Sequence, residues 1–286
     1  MSEFYEKLDR GDMAIVVELD PPAASDIAKY MDCARDLKRL DIDLMTLADS
    51  PSGRPRVSSM AMAAKVSREL EIETLPHITC RDRNGVALRS ELMGLAASGV
   101  DNALLVTGDP MGEEQKCEGY KPVFEYNSRT LAAAIKDMEK DGTLAKPLNL
   151  FGALNVNAAN FAAELDRAKE KIAAGMIGLF TQPVLSEEAV LNLQLASKEL
   201  ECFIFGGIMP LTSEKNAQFV NDHIAGITVD PDIILMYTGL KKDEASKLAI
   251  ELSGEFAHRI TPYIDGYFIM TPFLRTDLTC EIIKQL

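Results

Sequence analysis

Pro76-His77-Ile78-Thr79-Cys80-Arg81-Asp82-Arg83-Asn84 and Ala103-Leu104-Leu105-Val106-Thr107-Gly108-Asp109-Pro110 decide the fold. Each is an apolar run with strand character that stops abruptly in polar, turn-forming residues. Between them, Val86 to Ser98 carries a helix-like pattern. Together the three pieces predict a β-α-β unit with reactive side chains at both strand ends. Ligands of parallel α/β folds sit at the carboxyl ends of the strands, so these ends predict a ligand site.

The same alternation extends in both directions. Strands are predicted at Met13–Leu19, Asp43–Ala48, Glu73–Thr79, Ala103–Thr107, Asn149–Leu154, Met176–Thr181, Cys202–Ile208 and Tyr267–Met270. Helices are predicted at Asp26–Leu40, Ser58–Leu70, Gly85–Ala97, Ser128–Lys140, Phe161–Ala174, Ser186–Leu200, Ser213–Val220 and Lys242–Arg259. Ser128, Ser186 and Ser213 are expected to cap their helices. The strand runs are continuously apolar, as in a parallel sheet covered on both faces. This reads as an α/β chain, a (β/α)₈ TIM barrel occupying residues 1–286 as one domain. The segment Pro110–Tyr126 leaves a strand's carboxyl end and is expected to be a lid or cofactor-covering loop.

Composition narrows the function classes. The chain is 26% charged and 47% hydrophobic, an ordinary globular balance. A net charge of -14 argues against a nucleic-acid surface. The start, Met-Ser-Glu-Phe-Tyr-Glu-Lys, has no apolar core of a signal peptide, and no stretch is long enough to span a membrane. Five scattered cysteines without a CxxC pair argue against a disulfide framework or zinc site, and for a cytoplasmic location. With three histidines, a His-rich metal site is not expected. There is no nucleophile elbow, P-loop or GxGxxG motif, so a nucleotide cofactor would bind by dispersed contacts at the barrel mouth.

The residues closing each strand carry the chemistry. Glu18 stands in an otherwise apolar strand, before Leu19-Asp20-Pro21-Pro22. Desolvation there would raise its proton affinity and fit it to hold or relay a proton; an ion pair with a neighbouring arginine is the other reading. Asp109 follows Gly108, where backbone can approach a ligand closely, or else caps a turn. His77 is a candidate ligand contact or a structural donor. Arg81, Arg83 and Lys171 are candidate phosphate contacts, though each alone reads as surface charge.

In order, Glu18 before the double proline, Thr46, Pro76–Cys80, Thr107-Gly108-Asp109, Thr181-Gln182 and Gly207-Ile208-Met209-Pro210 resemble the 5,10-methylenetetrahydrofolate reductase family. The stretches 77–84, 107–110 and Thr271-Pro272-Phe273-Leu274-Arg275 look closest to the branch whose reductase domain can be fused behind a homocysteine methyltransferase domain. The resemblance implies a (β/α)₈ barrel holding FAD and reducing 5,10-methylenetetrahydrofolate to 5-methyltetrahydrofolate with electrons from NAD(P)H, in methionine biosynthesis. It implies that Glu18 assists ring opening, that Asp109 stands beside flavin and folate, and that Gln182 and Arg275 contact the folate. Thr46, His77, Gly108, Tyr126 and Lys171 match flavin-contact positions; Thr107, Asn155 and Asn157, at neighbouring strand ends, are further expected cofactor contacts. The chain departs from the better-known pattern at Thr107 in place of an arginine, Leu154 in place of an aromatic, and Glu214 in place of a stacking aromatic. Arg81 or Arg83 is the expected replacement for the missing arginine. Two further readings stand beside this one: a flavin and folate subunit reduced by a partner protein, and a flavin-free folate-binding subunit. A homo- or hetero-oligomer is compatible with each.

Overall fold

Eight parallel strands close on themselves in chain order in the computed structural model, which describes residues 3–286. They are β1 Ala14–Glu18, β2 Leu44–Leu47, β3 Thr74–Thr79, β4 Asn102–Val106, β5 Asn149–Leu154, β6 Met176–Pro183, β7 Phe203–Ile208 and β8 Gly266–Met270. β1 pairs with both β2 and β8, and that closure makes the sheet a barrel. Met1 and Ser2, the first residues of the charged start, lie outside the described residues.

The predicted helices are present with shifted ends: α2 Ala28–Lys38, α3 Ser59–Leu70, α4 Gly85–Ala97, α6 Ser128–Lys140, α7 Phe161–Ala173, α8 Glu187–Glu199, α9 Glu214–His223 and α11 Lys242–Ile260. Four more were not foreseen: α1 Glu3–Asp9, α5 Glu113–Cys117, α10 Pro231–Met236 and α12 Thr276–Ile283. All are short, and short helices owe their stability to tertiary packing more than to propensity. Ser186 and Ser213 cap α8 and α9, accepting from the amides of Ala189 and Asn216. Ser128 does not cap α6. Asn127 does, in a capping box with Thr130, because its side chain reaches the Arg129 and Thr130 amides from one position earlier.

Side chains alternate along each strand, so one parity fills the barrel and the other meets the helices. The inward set packs Val16, Leu44, Leu75, Leu104, Phe151, Phe180, Phe205 and Phe268 into one cluster. Its centre is aromatic: Phe180 stacks on Phe205 at 4.4 Å between centroids and meets Phe268 edge-on at 5.1 Å. Below it, Phe4 and Leu8 of α1 plug the amino end, with Phe4 5.9 Å from Phe205. The interior is therefore solid, and only its carboxyl end is left for a ligand.

The polar groups at the amino end are tied together. Asn102 donates to Glu73 and to the Thr74 carbonyl, and its oxygen accepts from Asn149 and the Tyr5 hydroxyl. Asp43 accepts from Lys7 and from the Ile15 amide, while Asp265 accepts from the Ile204 amide.

Candidate active site

Two residues above the aromatic layer, the inward parity places Glu18 over Val16, Thr46 over Leu44 and His77 over Leu75, while on β6 the register shifts between Phe180 and Pro183, leaving Gln182 half-buried at the strand end. Register sets Glu18 level with Thr46 on one side and Met270 on the other. These side chains form the floor of the mouth.

Glu18 and His77 face each other with Oε2 and Nε2 3.7 Å apart, side chains 18% and 15% exposed. That distance is too long for a hydrogen bond. Burial, and then the charge of Asp20, hold the Glu18 carboxyl well above the usual carboxylate range. Burial lowers His77 to about 4, against a smaller opposing pull from Asp49. The imidazole is therefore neutral at pH 7, and the same burial favours the protonated form of the Glu18 carboxyl beside it.

Several polar atoms of this end are buried without a hydrogen-bond partner: Asp20 Oδ1, Thr46 Oγ1, Arg56 Nε, His77 Nε2 and Asn157 Oδ1. Buried polar atoms are ordinarily paired, so this concentration at one end marks a surface built to receive a polar ligand.

Around the floor, the β2, β3 and β4 loops interlock. Asp49 accepts from both Nη atoms of Arg83, at 2.6 and 3.1 Å, and from the Thr79 amide at 2.9 Å. Arg81, 1% exposed, donates to both oxygens of Asp82 and to the Ser50 carbonyl, each at 2.7 Å. Gly108 has φ +94, and a Cβ there would lie 2.2 Å from Thr79 Oγ1 and 2.9 Å from Arg81 Cβ. Only glycine brings the Thr107–Asp109 turn this close to β3. The Thr107 hydroxyl accepts from the Ser128 amide at the start of α6, and Asp109 is exposed on the rim.

The segment Pro110–Tyr126 carries α5 and is fastened at several points. Val123 donates its amide to the Arg81 carbonyl, Arg54 pairs with Glu114, and Met111 packs toward Gly53. Tyr126 is half-buried against Gly85 at the start of α4. On the opposite side, Asn155 Oδ1 accepts from the Asn157 amide, and Asn157 Nδ2 reaches the Pro183 carbonyl, joining the β5 and β6 loops.

A profile of the methylenetetrahydrofolate reductase family matches residues 3–286. The chain belongs to this family. Among solved structures, it is similar to an uncharacterized protein from Clostridium thermocellum that binds two copies of 5-methyl-5,6,7,8-tetrahydrofolic acid. Identity is 16% and the TM-score 0.69, over 99% of this chain and 97% of that one. It also resembles an EDTA monooxygenase from Chelativorans sp., at 12% identity and TM-score 0.55 over 95% and 93%. Tryptophan synthase from M. tuberculosis matches at 11% and 0.55 over 99% and 96%. At these identities the likeness is one of fold.

For a methylenetetrahydrofolate reductase family member, the structure sorts the residues named from sequence into two groups. Glu18, Thr46 and His77 come together on the floor, Gln182 stands half-buried at the end of β6, and Thr107, Gly108, Asp109, Asn155 and Asn157 lie at the rim strand ends. Arg275 instead directs its fork to Asp277, with Ser246 of α11 at 3.3 Å. Lys171 reaches from α7 to the Ala153 carbonyl and to Glu164, and burial lowers its pKa. The cationic ends of Arg81, Arg83 and Lys171 are thus engaged with protein acceptors. Asp20 and Arg56 were not singled out from sequence. Asp20 carried a signal, since it shares the inward parity of Glu18; Arg56, in the polar stretch after β2, carried none.

Among the described residues, no helix is long and apolar enough to cross a membrane. No cluster of three or more His, Cys, Asp or Glu residues among them is arranged to hold a metal ion.

Proposed function

We propose that this chain reduces 5,10-methylenetetrahydrofolate to 5-methyltetrahydrofolate, with FAD as cofactor and NAD(P)H as electron source. The observation that carries this reading is Glu18, buried in a closed-bottomed mouth with its proton affinity raised, in a chain of the reductase family. The folate-binding neighbour in Clostridium thermocellum supports the choice of ligand class.

The floor suits a flavin ring by its donor set: Thr46 Oγ1 and His77 Nε2 are buried polar atoms without protein partners, and a planar ring edged with N–H and C=O groups would satisfy them. When bound, FAD supplies the hydride chemistry of the reaction. The protein's part is acid catalysis and orientation. Opening the five-membered ring of the substrate needs a proton at N10, and burial fits Glu18 to hold one by raising its proton affinity. After donation, the Glu18 carboxylate faces the iminium cation it helped create, where low dielectric strengthens the attraction. Gln182, whose amide both donates and accepts, orients the pterin edge. Asp109 adds negative charge at the rim.

One observation favours a second electron source. Glu214, where the family pattern has a stacking aromatic, accepts from the Thr238 hydroxyl, so this edge offers a carboxylate rather than a ring face to a nicotinamide. A partner protein would then reduce the flavin. An absorbance spectrum of the purified protein, recorded before and after anaerobic NADH and then after methylene folate, tests both readings. A flavin band bleached by NADH and restored by the folate is expected. A band that only dithionite bleaches selects the partner protein, and a colourless protein overturns the flavin reading.

A further inference from the structure

We propose that Asp20 is a positioning residue of the mouth, acting through Glu18 with Arg56 as its counter-charge. The inference rests on the reading of Glu18 as the acid, and it concerns two residues to which the family resemblance gives no role.

Geometry comes first. Asp20 follows Glu18, the last residue of β1, by two residues, and Leu19 between them still donates its amide to the Thr46 carbonyl of β2, so the strand alternation carries both carboxyls to the same side. Leu19 between them turns outward into the core, and its carbonyl accepts from the Tyr30 hydroxyl at 3.2 Å, which anchors the segment. Asp20 Oδ1 is buried without a partner, and so is Arg56 Nε. Arg56 Nη1 is held by the Pro21 carbonyl at 3.2 Å, next in sequence to Asp20, which brings the guanidinium alongside the aspartate. Val57 fastens the same stretch through its amide to the Pro22 carbonyl.

The electrostatics follow this arrangement. Glu18 is faced by Asp20 just past the end of its own strand and by His77 from β3, with Asp49 behind the histidine. Asp20 is faced by Arg56 from the β2 loop and by Tyr30 from α2. Burial raises the pKa of both carboxyls, but Arg56 pulls Asp20 back down, whereas no cation opposes the rise at Glu18. Two carboxyls whose surroundings separate them in this way divide the roles of acid and anion. Of the two, Asp20 is the one that a cation helps to ionise, and its charge raises the proton affinity of Glu18.

The test is an infrared titration of the Glu18 carboxyl in ligand-free protein, its band identified by Glu18→Gln. In Asp20→Asn the midpoint should fall by roughly one pH unit, the scale of a like-charge effect at close range. Asp20→Glu should restore it. Arg56→Gln should also lower the midpoint, because Asp20 loses the cation that favours its charged form and so acts less on Glu18. Recovery in Asp20→Glu is not produced by a general loosening of the loop. Equal midpoints in wild type and Asp20→Asn, or a rise in Arg56→Gln, would overturn the proposal. Because the titration uses no flavin and no folate, it decides this point even if the proposed reaction is absent. Where the reaction is present, the alkaline limb of the folate half-reaction should move to lower pH in Asp20→Asn.

Discussion

The two ends of this barrel are made of the same strands and treat polar groups in opposite ways. At the amino end, Asn102, Asn149, Glu73, Tyr5, Asp43 and Asp265 satisfy one another or the backbone. At the carboxyl end, Asp20, Thr46, Arg56, His77 and Asn157 each bury an atom without a partner. An unmade buried hydrogen bond costs about 1–3 kcal/mol, so the carboxyl end carries a cost that the amino end avoids. The difference teaches where the molecule expects a ligand: stability is held at the closed end and given up at the open one.

The sharpest way to break this contrast is at Glu18. Glu18→Gln should leave the fold and flavin binding intact while slowing the folate half-reaction by about 10²–10⁴-fold, measured by anaerobic stopped-flow reoxidation of the flavin. Near-normal turnover would remove the acid role. Phe180→Ala attacks the layer separating the two ends. Loss of a stacked, fully enclosed ring should cost about 3–5 kcal/mol in urea unfolding.

Asn102→Ala tests the amino end directly. It should cost about 1–3 kcal/mol by stranding its partners, with no change in folate kinetics per folded molecule. A change in kinetics at unaltered stability would dissolve the division of labour between the ends.

His77 supplies a pH test. Its folded pKa of about 4 lies below the ordinary histidine value of 6.5, so the unfolded chain binds more protons between these values. Its contribution to stability is therefore full above pH 6.5 and is lost as pH falls toward 4. Glu18 has the opposite sign, since its raised pKa makes stability fall as pH rises through the acid range. Against that background, His77→Gln should flatten the acid-side loss by up to about 1.4 kcal/mol per pH unit, read from denaturant midpoints. An unchanged slope would mean that the imidazole is not buried neutral.

The smallest effect is expected at Thr46→Val. Replacing an unpartnered buried hydroxyl by a methyl should change stability by less than about 1 kcal/mol, in the favourable direction, while weakening flavin retention measured by dialysis. Clear destabilisation would show that the hydroxyl has a structural partner.

The barrel was legible in the chain because continuous apolar runs such as Ala103–Val106 and Asn149–Leu154 can be buried only when both faces of a sheet are covered. The short helices α1, α5, α10 and α12 were not, since Glu3–Asp9 and Glu113–Cys117 have charged, brief sequences that helix propensity does not single out. The floor of the site was legible for a local reason. Glu18, Thr46, His77 and Gln182 are polar residues interrupting or ending apolar strands, and strand periodicity decides which way they point.

The sequence by itself determined a parallel α/β chain, its strand ends and the buried carboxyl of Glu18 among them, because burial and alternation act over a few residues. Tertiary structure decided where Arg83 and Lys171 go, while Arg81 and Arg275 also close on the neighbouring Asp82 and Asp277. Arg81, Arg83, Lys171 and Arg275 looked like phosphate or folate contacts as isolated charges, yet each finds an acceptor supplied by the folded protein. Long side chains choose among everything within their reach, and loop closure sets what lies within it. The same holds for Arg56, whose place beside Asp20 exists only once the β2 loop folds back over the end of β1.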